Sequence, residues 1–195
     1  MAVITALRER PPRQGSASRV EIELDGEAWR VVPADAVVGA GLSVGRTLDR
    51  ATARDLAREL RRAKALTDAA RVLRYSDVSR RRLDERLQRR GANAEARAAA
   101  LSTLERAGLV DDRRVAVSRA RTLAGRGLGD AAIRFALERE QIAESLVAEA
   151  LAGLEPEPER AARLLGAAPE PKAVRRLASK GFDPETLAEL AGFAD

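Results

Sequence analysis

The spacing of apolar and polar positions changes its period once along the chain. Residues 1–18, with Arg8, Arg10, Pro11, Pro12, Arg13, Gly15, Ser16 and Ser18, are polar and turn-rich and read as a loose arm. From Arg19 the period is two: Val20, Ile22 and Leu24 alternate with Arg19, Glu21 and Glu23. Asp25-Gly26 follows, then the run Ala28 to Val32, stopped by Pro33; together these predict a β-hairpin. An isolated hairpin is marginal, so it must pair with more strand or pack on a helix, and Leu42 to Leu48 is the candidate third strand.

From Thr52 the period is helical to the end. Leu56 and Leu60 share a face of the first helix. Ser76 is the expected cap of a helix running to about Arg90, with Gly91 beyond its end, where a left-handed residue is wanted. Asn93 is the expected cap of the next helix, to Gly108. Asp111 or Asp112 caps one through Val115 and Leu123 to Gly125, and Asp130 one to Glu140. Pro156, Pro169, Pro171 and Pro184 mark helix starts in the remainder.

The helical part repeats. With Gly91, Gln141 and Gly181 as anchors, Leu87, Leu137 and Leu177 stand four positions before, and Ala92, Ile142 and Phe182 one after. Six after stand Arg97, Val147 and Leu187, and nine after Ala100, Ala150 and Leu190. Recurrence in phase predicts a repeat array in which each unit contacts its neighbours. The expected fold is mainly α: tandem three-helix repeats forming an elongated, curved body, preceded by a small N-terminal β-hairpin extension. The boundaries expected are 1–51 for arm and hairpin, 52–66 for a linking helix, and 67–111, 112–155 and 156–195 for three repeats.

Composition narrows the chemistry. The 195 residues include 40 Ala but five aromatics (Trp29, Tyr75, Phe135, Phe182 and Phe193), so the core is thin and helix is favoured. Cys and His are absent, which excludes disulfides, thiol nucleophiles, imidazole relays and Cys- or His-held metal. No cofactor or metal is implied. The sequence has no apolar run long enough for a membrane span and no apolar leader, so a cytoplasmic monomer is expected. GAGLSVGRT over 39–47 fails as a phosphate loop, since Ala40 stands where the first Gly belongs and Arg46 where the Lys belongs. Asp111-Asp112 is a carboxylate pair that could serve acid–base work, but a helix starts directly after it and capping explains it better.

Charge points elsewhere. Of 35 cations 32 are Arg, a residue whose planar fork suits phosphate and carboxylate, although a GC-rich genome also favours Arg and Ala codons together. Residues 54–91 carry a net +7 and 113–134 a net +5, followed by −6 over 135–159. With Leu83 and Leu87 as the inward stripe, Arg81, Arg82, Arg86 and Arg89 fall on the opposite side of their helix, with Glu85 among them. Arg119, Arg121 and Arg126 form a sparser second group. Such faces could follow a phosphate backbone.

The run SDVSRRRL over 76–83, LQRRG over 87–91 and LERAGLVDD over 104–112, with Ala116 and Gly127 downstream, resembles the RecX family of bacterial regulators of the RecA recombinase. The N-terminal hairpin and LSVGRTLD over 42–49 are similar to an extension many members carry. Val115 departs from the pattern, where an aromatic residue is usual. The resemblance implies three tandem three-helix repeats, no catalysis, and binding to the RecA–single-stranded DNA filament. It also implies suppression of strand exchange, ATP hydrolysis and co-protease activity, through blocked growth or promoted disassembly. The seven arginines named above would face the filament's DNA or an acidic RecA surface, an assignment from exposure rather than from the family. The alternative is a sequence-preferring double-stranded DNA regulator with helix-turn-helix-like units. For that, base-reading Asn or Gln at the start of a basic helix is missing.

Overall fold

The computed structural model describes residues 2–11, 18–166 and 170–192; Met1, Pro12 to Ala17, Pro169 and Phe193 are among those outside it. The described residues form four strands and ten helices, so the protein is mostly helical with a small N-terminal antiparallel sheet. They divide into two compact units, Met1–Tyr75 with Asp84–Arg106, and Ser76–Leu83 with Ala107–Asp195.

In the first unit β1 (Ala2–Arg10), β2 (Arg19–Leu24), β3 (Glu27–Pro33) and β4 (Thr47–Leu48) pair in the order β3-β2-β1-β4. The hairpin turns at Asp25 and Gly26, both with positive φ (49° and 90°), as a type I′ turn requires. The loose arm is a correction: its first ten residues hold β1, an inner strand paired with β2 on one side and β4 on the other. A bulge at Thr5 hides it from a period-two reading. Ile4 pairs with Leu24 and Ala6 with Glu23, so one extra residue lets Ile4 and Leu7, three apart, both turn inward. The Thr5 hydroxyl donates to Glu23 and accepts from the Gly26 N–H, which satisfies the irregular backbone. The third strand expected over 42–48 is only Thr47–Leu48.

Helix α1 (Ala34–Gly39), not anticipated, and α2 (Arg50–Leu73) cover the sheet, and Ile4, Val20, Ile22, Val32, Val37, Leu42 and Leu56 form the core between them. The cap of α2 is Asp49, three residues before Thr52, near which the helix is expected to start; its carboxylate accepts from the Thr52 N–H at 2.8 Å. That bond, with the neighbouring Thr52 hydroxyl, holds the carboxyl below the ordinary aspartate range. A depressed folded-state pKa means the cap contributes in full above the unfolded value and is lost as pH falls through the folded one. Asp49→Asn, whose amide oxygen caps without titrating, is expected to make the acid limb of the helix signal shallower by circular dichroism. An acid limb identical to the parent's would refute that role.

Two more helices, α3 (Arg80–Arg89) and α4 (Ala94–Arg106), follow. Ala65 of α2 meets Ala96 and Ala100 of α4, small residues that let the helix backbones approach. Ser79, not Ser76, caps α3: its hydroxyl accepts from the Arg82 N–H at 3.2 Å. Asn93 caps α4 as expected. Arg97 stands at a core position of the repeat, where the other units have Val147 and Leu187. It is accommodated because Asp84 accepts its Nε at 2.8 Å and the Ala92 carbonyl its Nη1 at 3.1 Å.

The second unit contains α5 (Asp112–Gly125), α6 (Asp130–Arg139), α7 (Glu144–Ala152), α8 (Glu157–Leu165), α9 (Pro171–Ser179) and α10 (Pro184–Leu190). Asp111 caps α5 through the Arg114 N–H at 3.0 Å. Asp130 is not a cap; Gly129 holds that place, with no side chain to offer. Val115, Ala116, Ala120, Ile133, Leu137, Ile142, Val147 and Ala150 form one core, and Ala161, Leu177, Phe182 and Leu187 another.

The three anchors are the left-handed residues that end α3, α6 and α9, with φ of 80° at Gly91, 58° at Gln141 and 84° at Gly181. After each, the next N–H closes on the carbonyl of Leu87, Leu137 or Leu177 at 3.1 to 3.3 Å, and those leucines are buried. Leu190, nine after the last anchor, is 37% exposed and breaks the pattern.

Within the second unit one joint occurs twice. The Arg80 N–H opening α3 donates to Asp112 at 2.6 Å, and the Ser79 hydroxyl to the Glu140 carbonyl at 2.6 Å. The Asp130 N–H opening α6 donates likewise to Glu157, while the Gly129 N–H donates to the Lys180 carbonyl at 3.0 Å. Each helix start thus meets a carboxylate on the first helix of the next triplet and the turn after that triplet's second helix. The same position on α9 is Pro171, which has no N–H to donate.

Candidate nucleic-acid interface

The seven arginines singled out by exposure do not behave alike. In α3, Leu83 and Leu87 are fully buried, so the helix is oriented as the period requires. Arg81 and Arg89 are exposed, whereas Arg82 and Arg86 are half-buried. Arg81 is engaged: its Nε donates to the Gln141 side chain at 2.5 Å. Arg89 turns its Nε onto the Glu85 carbonyl at 3.4 Å. Arg82 and Arg86 form no ion pair among the described residues. Arg81 and Arg82 belong to the second unit, Arg86 and Arg89 to the first.

On α5, Arg119 pairs with Glu140 at 3.1 Å. Arg121 and Arg126 are exposed and without an ion pair among the described residues. Two residues apart on a helix, Arg119 and Arg121 point about 200° from each other, so they cannot serve one contact surface. Arg126 follows the last turn of α5, just before Gly127, whose φ is 75°.

Many other arginines serve the fold itself. Arg90 approaches Asp68 at 3.6 Å, Arg113 pairs with Glu149 at 3.0 Å, and Arg114 ties down the Gly108 and Leu109 carbonyls. Arg160, 4% exposed, is the most deeply placed. Its Nε donates to the Glu155 carbonyl and its Nη1 to the Leu128 carbonyl, each at 2.9 Å, while its Nη2 meets Asp130. The guanidinium carbon lies 5.8 Å from the Phe182 ring centroid. No sequence signal set Arg160 apart from its exposed neighbours.

The aromatics carry another signal the sequence reading missed. Phe182 is buried, but Trp29, Tyr75 and Phe135 are 44%, 82% and 62% exposed. Phe135 lies between Ile133 and Leu137, off the buried stripe, and Arg139 sits 5.9 Å from its ring centroid. That off-stripe position was legible in the sequence. No group of three or more acidic residues among the described residues is placed to hold a metal ion. None of the described helices is long and apolar enough to cross a membrane.

A family model described as RecX, second three-helix domain, matches residues 111–151, the span of α5 to α7 with its cap. Regulatory protein RecX of Leuconostoc citreum (strain KM20) is 28% identical over 142 residues, 71% of this chain and 53% of that protein. The chain therefore spans about half the length of that curated relative. A crystal structure of regulatory protein RecX matches with a TM-score of 0.82 at 25% identity, over all of both chains. The crystal structure of RecX from Lactobacillus salivarius matches in fold, with a TM-score of 0.59 at 19% identity. That match covers 68% of this chain and 96% of the other.

Proposed function

This chain belongs to the RecX family, and on that premise we propose that it is a non-catalytic regulator of the RecA recombinase. It binds the RecA–single-stranded DNA filament in the cytoplasm, as a monomer. Binding inhibits strand exchange, ATP hydrolysis and co-protease function by blocking filament growth or promoting disassembly. The observation that supports this reading is the set of guanidiniums on α3 and α5 that form no ion pair among the described residues: Arg82, Arg86, Arg121 and Arg126. Such groups suit phosphate oxygens or an acidic protein surface. Arg89 extends the set on α3, while Arg81 and Arg119 have part of their hydrogen-bonding capacity committed to Gln141 and Glu140.

The test is ATP hydrolysis by a cognate RecA on single-stranded DNA, titrated with this protein below one copy per recombinase. Inhibition at substoichiometric levels is expected, because one blocked filament end affects many subunits. Arg82→Ala, Arg86→Ala and Arg89→Ala combined leave the Arg81–Gln141 bond in place. They are expected to weaken inhibition about tenfold through lost phosphate contacts, with helicity intact. Undiminished inhibition would move the contact off α3. No inhibition at equimolar protein, with tight binding to a palindromic duplex, would favour the double-stranded DNA reading.

A further inference from the structure

The first unit presents a surface that the regulator reading leaves without a role. In the N-terminal sheet, Val20, Ile22 and Val32 turn inward to the core. Alternation then sends Arg19, Glu21 and Glu23 of β2 outward, together with Val31 of β3, which pairs directly with Glu21. The register shifts at Trp29: Arg30 pairs with Ile22 and Ala28 with Glu23, so Trp29 is the extra residue of a bulge that, with Ala28, opposes the outward Glu23. Trp29 is 44% and Val31 37% exposed, and neither joins the core between the sheet and its helices. Trp29 is the chain's single tryptophan and one of five aromatics, so leaving its ring in solvent forgoes a large share of the apolar area available to a thin core.

Arginines of β2 and β1 lie to one side of this apolar stripe, and those of β1 stand above their partners. Arg8 pairs with Glu23 at 2.8 Å, yet its side chain is 67% exposed and the glutamate's 18%. Arg10 pairs with Glu21 at 2.7 Å, with exposures of 56% and 18%. The carboxylates lie against the sheet, and the guanidiniums form the outer layer. Arg19 reaches across to the Val31 carbonyl at 3.2 Å, bringing a third guanidinium beside the stripe. From the Arg10–Arg19 pair to the row of Glu23 is four residues, about 13 Å along the strands.

We propose that this outer face, with Trp29 and Val31 on β3 flanked by Arg8, Arg10 and Arg19, is a stacking platform for single-stranded nucleic acid. An exposed ring on a sheet offers a π-face to any base, and flanking guanidiniums meet the phosphates without reading sequence. A duplex stacks its bases internally and offers no such face. The inference takes the single strand as ligand from the regulator reading, but its test omits the recombinase, so the two can fail separately.

Because Trp29 is the sole tryptophan, fluorescence excited at its red edge reports this face alone. Unlabelled oligothymidylate of about twelve nucleotides is expected to quench that emission saturably, and added salt to reverse the quenching. Trp29→Ala should weaken binding of a labelled oligothymidylate about tenfold by anisotropy, and Trp29→Phe, which keeps a π-face, should restore most of it. Arg8→Ala with Arg10→Ala should weaken binding and flatten its salt dependence. A far-ultraviolet spectrum matching the parent's guards against misfolding. Oligothymidylate binding that leaves Trp29 emission unchanged and survives Trp29→Ala would overturn the assignment, as would absence of binding. An emission shift on adding DNA-free recombinase, with none on adding oligothymidylate, would overturn it in favour of a protein contact.

Discussion

Gly129→Ala is expected to lower the stability of the second unit by about 3 kcal/mol, near the upper end for overpacking. A Cβ there would lie 2.2 Å from the Gly181 carbonyl oxygen and the Phe182 nitrogen, and 2.3 Å from the Gly181 carbonyl carbon. These are backbone atoms that cannot rotate away, so the second joint must open. Gly129 has φ of −81° and ψ of 169°, which alanine adopts freely, so the effect isolates space from conformation. Gly127→Ala is the matched control. Its Cβ would meet Lys180 and Leu164 only at ordinary distances of 3.6 Å or more, but its φ of 75° costs a side chain about 1–2 kcal/mol. Chemical unfolding followed by circular dichroism separates the two; a loss under 1 kcal/mol at Gly129 would show that the joint is not closely packed.

Removing the Arg160 guanidinium should cost at least as much. Arg160→Met keeps the apolar stem but leaves the Leu128 and Glu155 carbonyls without their donor and Asp130 without its ion pair. Breaking a pair with one partner buried is expected to cost about 3–5 kcal/mol, here nearer the lower figure because Asp130 is 39% exposed. Arg160→Lys should recover less than half, since a compact ammonium cannot address three acceptors in the plane of the fork. A double-mutant cycle with Asp130→Ala measures the pair alone, and a coupling energy near zero would reassign the stability to packing against Phe182.

The two joints show how one geometry is met by different residues. At the first, Ser79 and Gln141 carry side chains that bridge it, to the Glu140 carbonyl and from Arg81. At the second, Gly129 and Gly181 carry none and the backbones touch. Gln141 holds a left-handed conformation that favours glycine, with φ of 58°, while its side chain serves the bridge. Gly181 has no such freedom, because its Cβ would meet Ala132 at 2.6 Å. A Gly at both positions of one joint and at neither of the other was visible in the sequence. That the four residues meet in pairs was not.

Each element that was legible in the sequence had a local cause. The Asp-Gly turn, the alternation of β2 and the Asn93 and Asp111 caps each depend on near neighbours in the chain, and the Leu87, Leu137 and Leu177 series on each leucine's closeness to its own anchor, repeated in phase. Where a local signal was broken, the reading failed. The bulge at Thr5 disguised β1, and Ser76 and Asp130 resembled caps that Ser79 and Gly129 provide instead. The candidate interface was legible only as a helix face. Periodicity set Leu83 and Leu87 inward, but it could not say which guanidiniums would find a carboxylate.

The sequence by itself determined the helical repeat and its phase, the hairpin, the left-handed anchors, and the absence of thiol and imidazole chemistry. These follow from residue type and short spacing, which fix backbone conformation before any long-range contact forms. Tertiary structure decided the rest. It buried Arg160 among carbonyls 5 to 32 residues away, joined Arg81 to a glutamine 60 positions on, and left Trp29 uncovered on a sheet whose inner strand the pattern had concealed. An arginine's role depends on which acceptor lies within reach of its fork, and the folded chain brings those acceptors from afar.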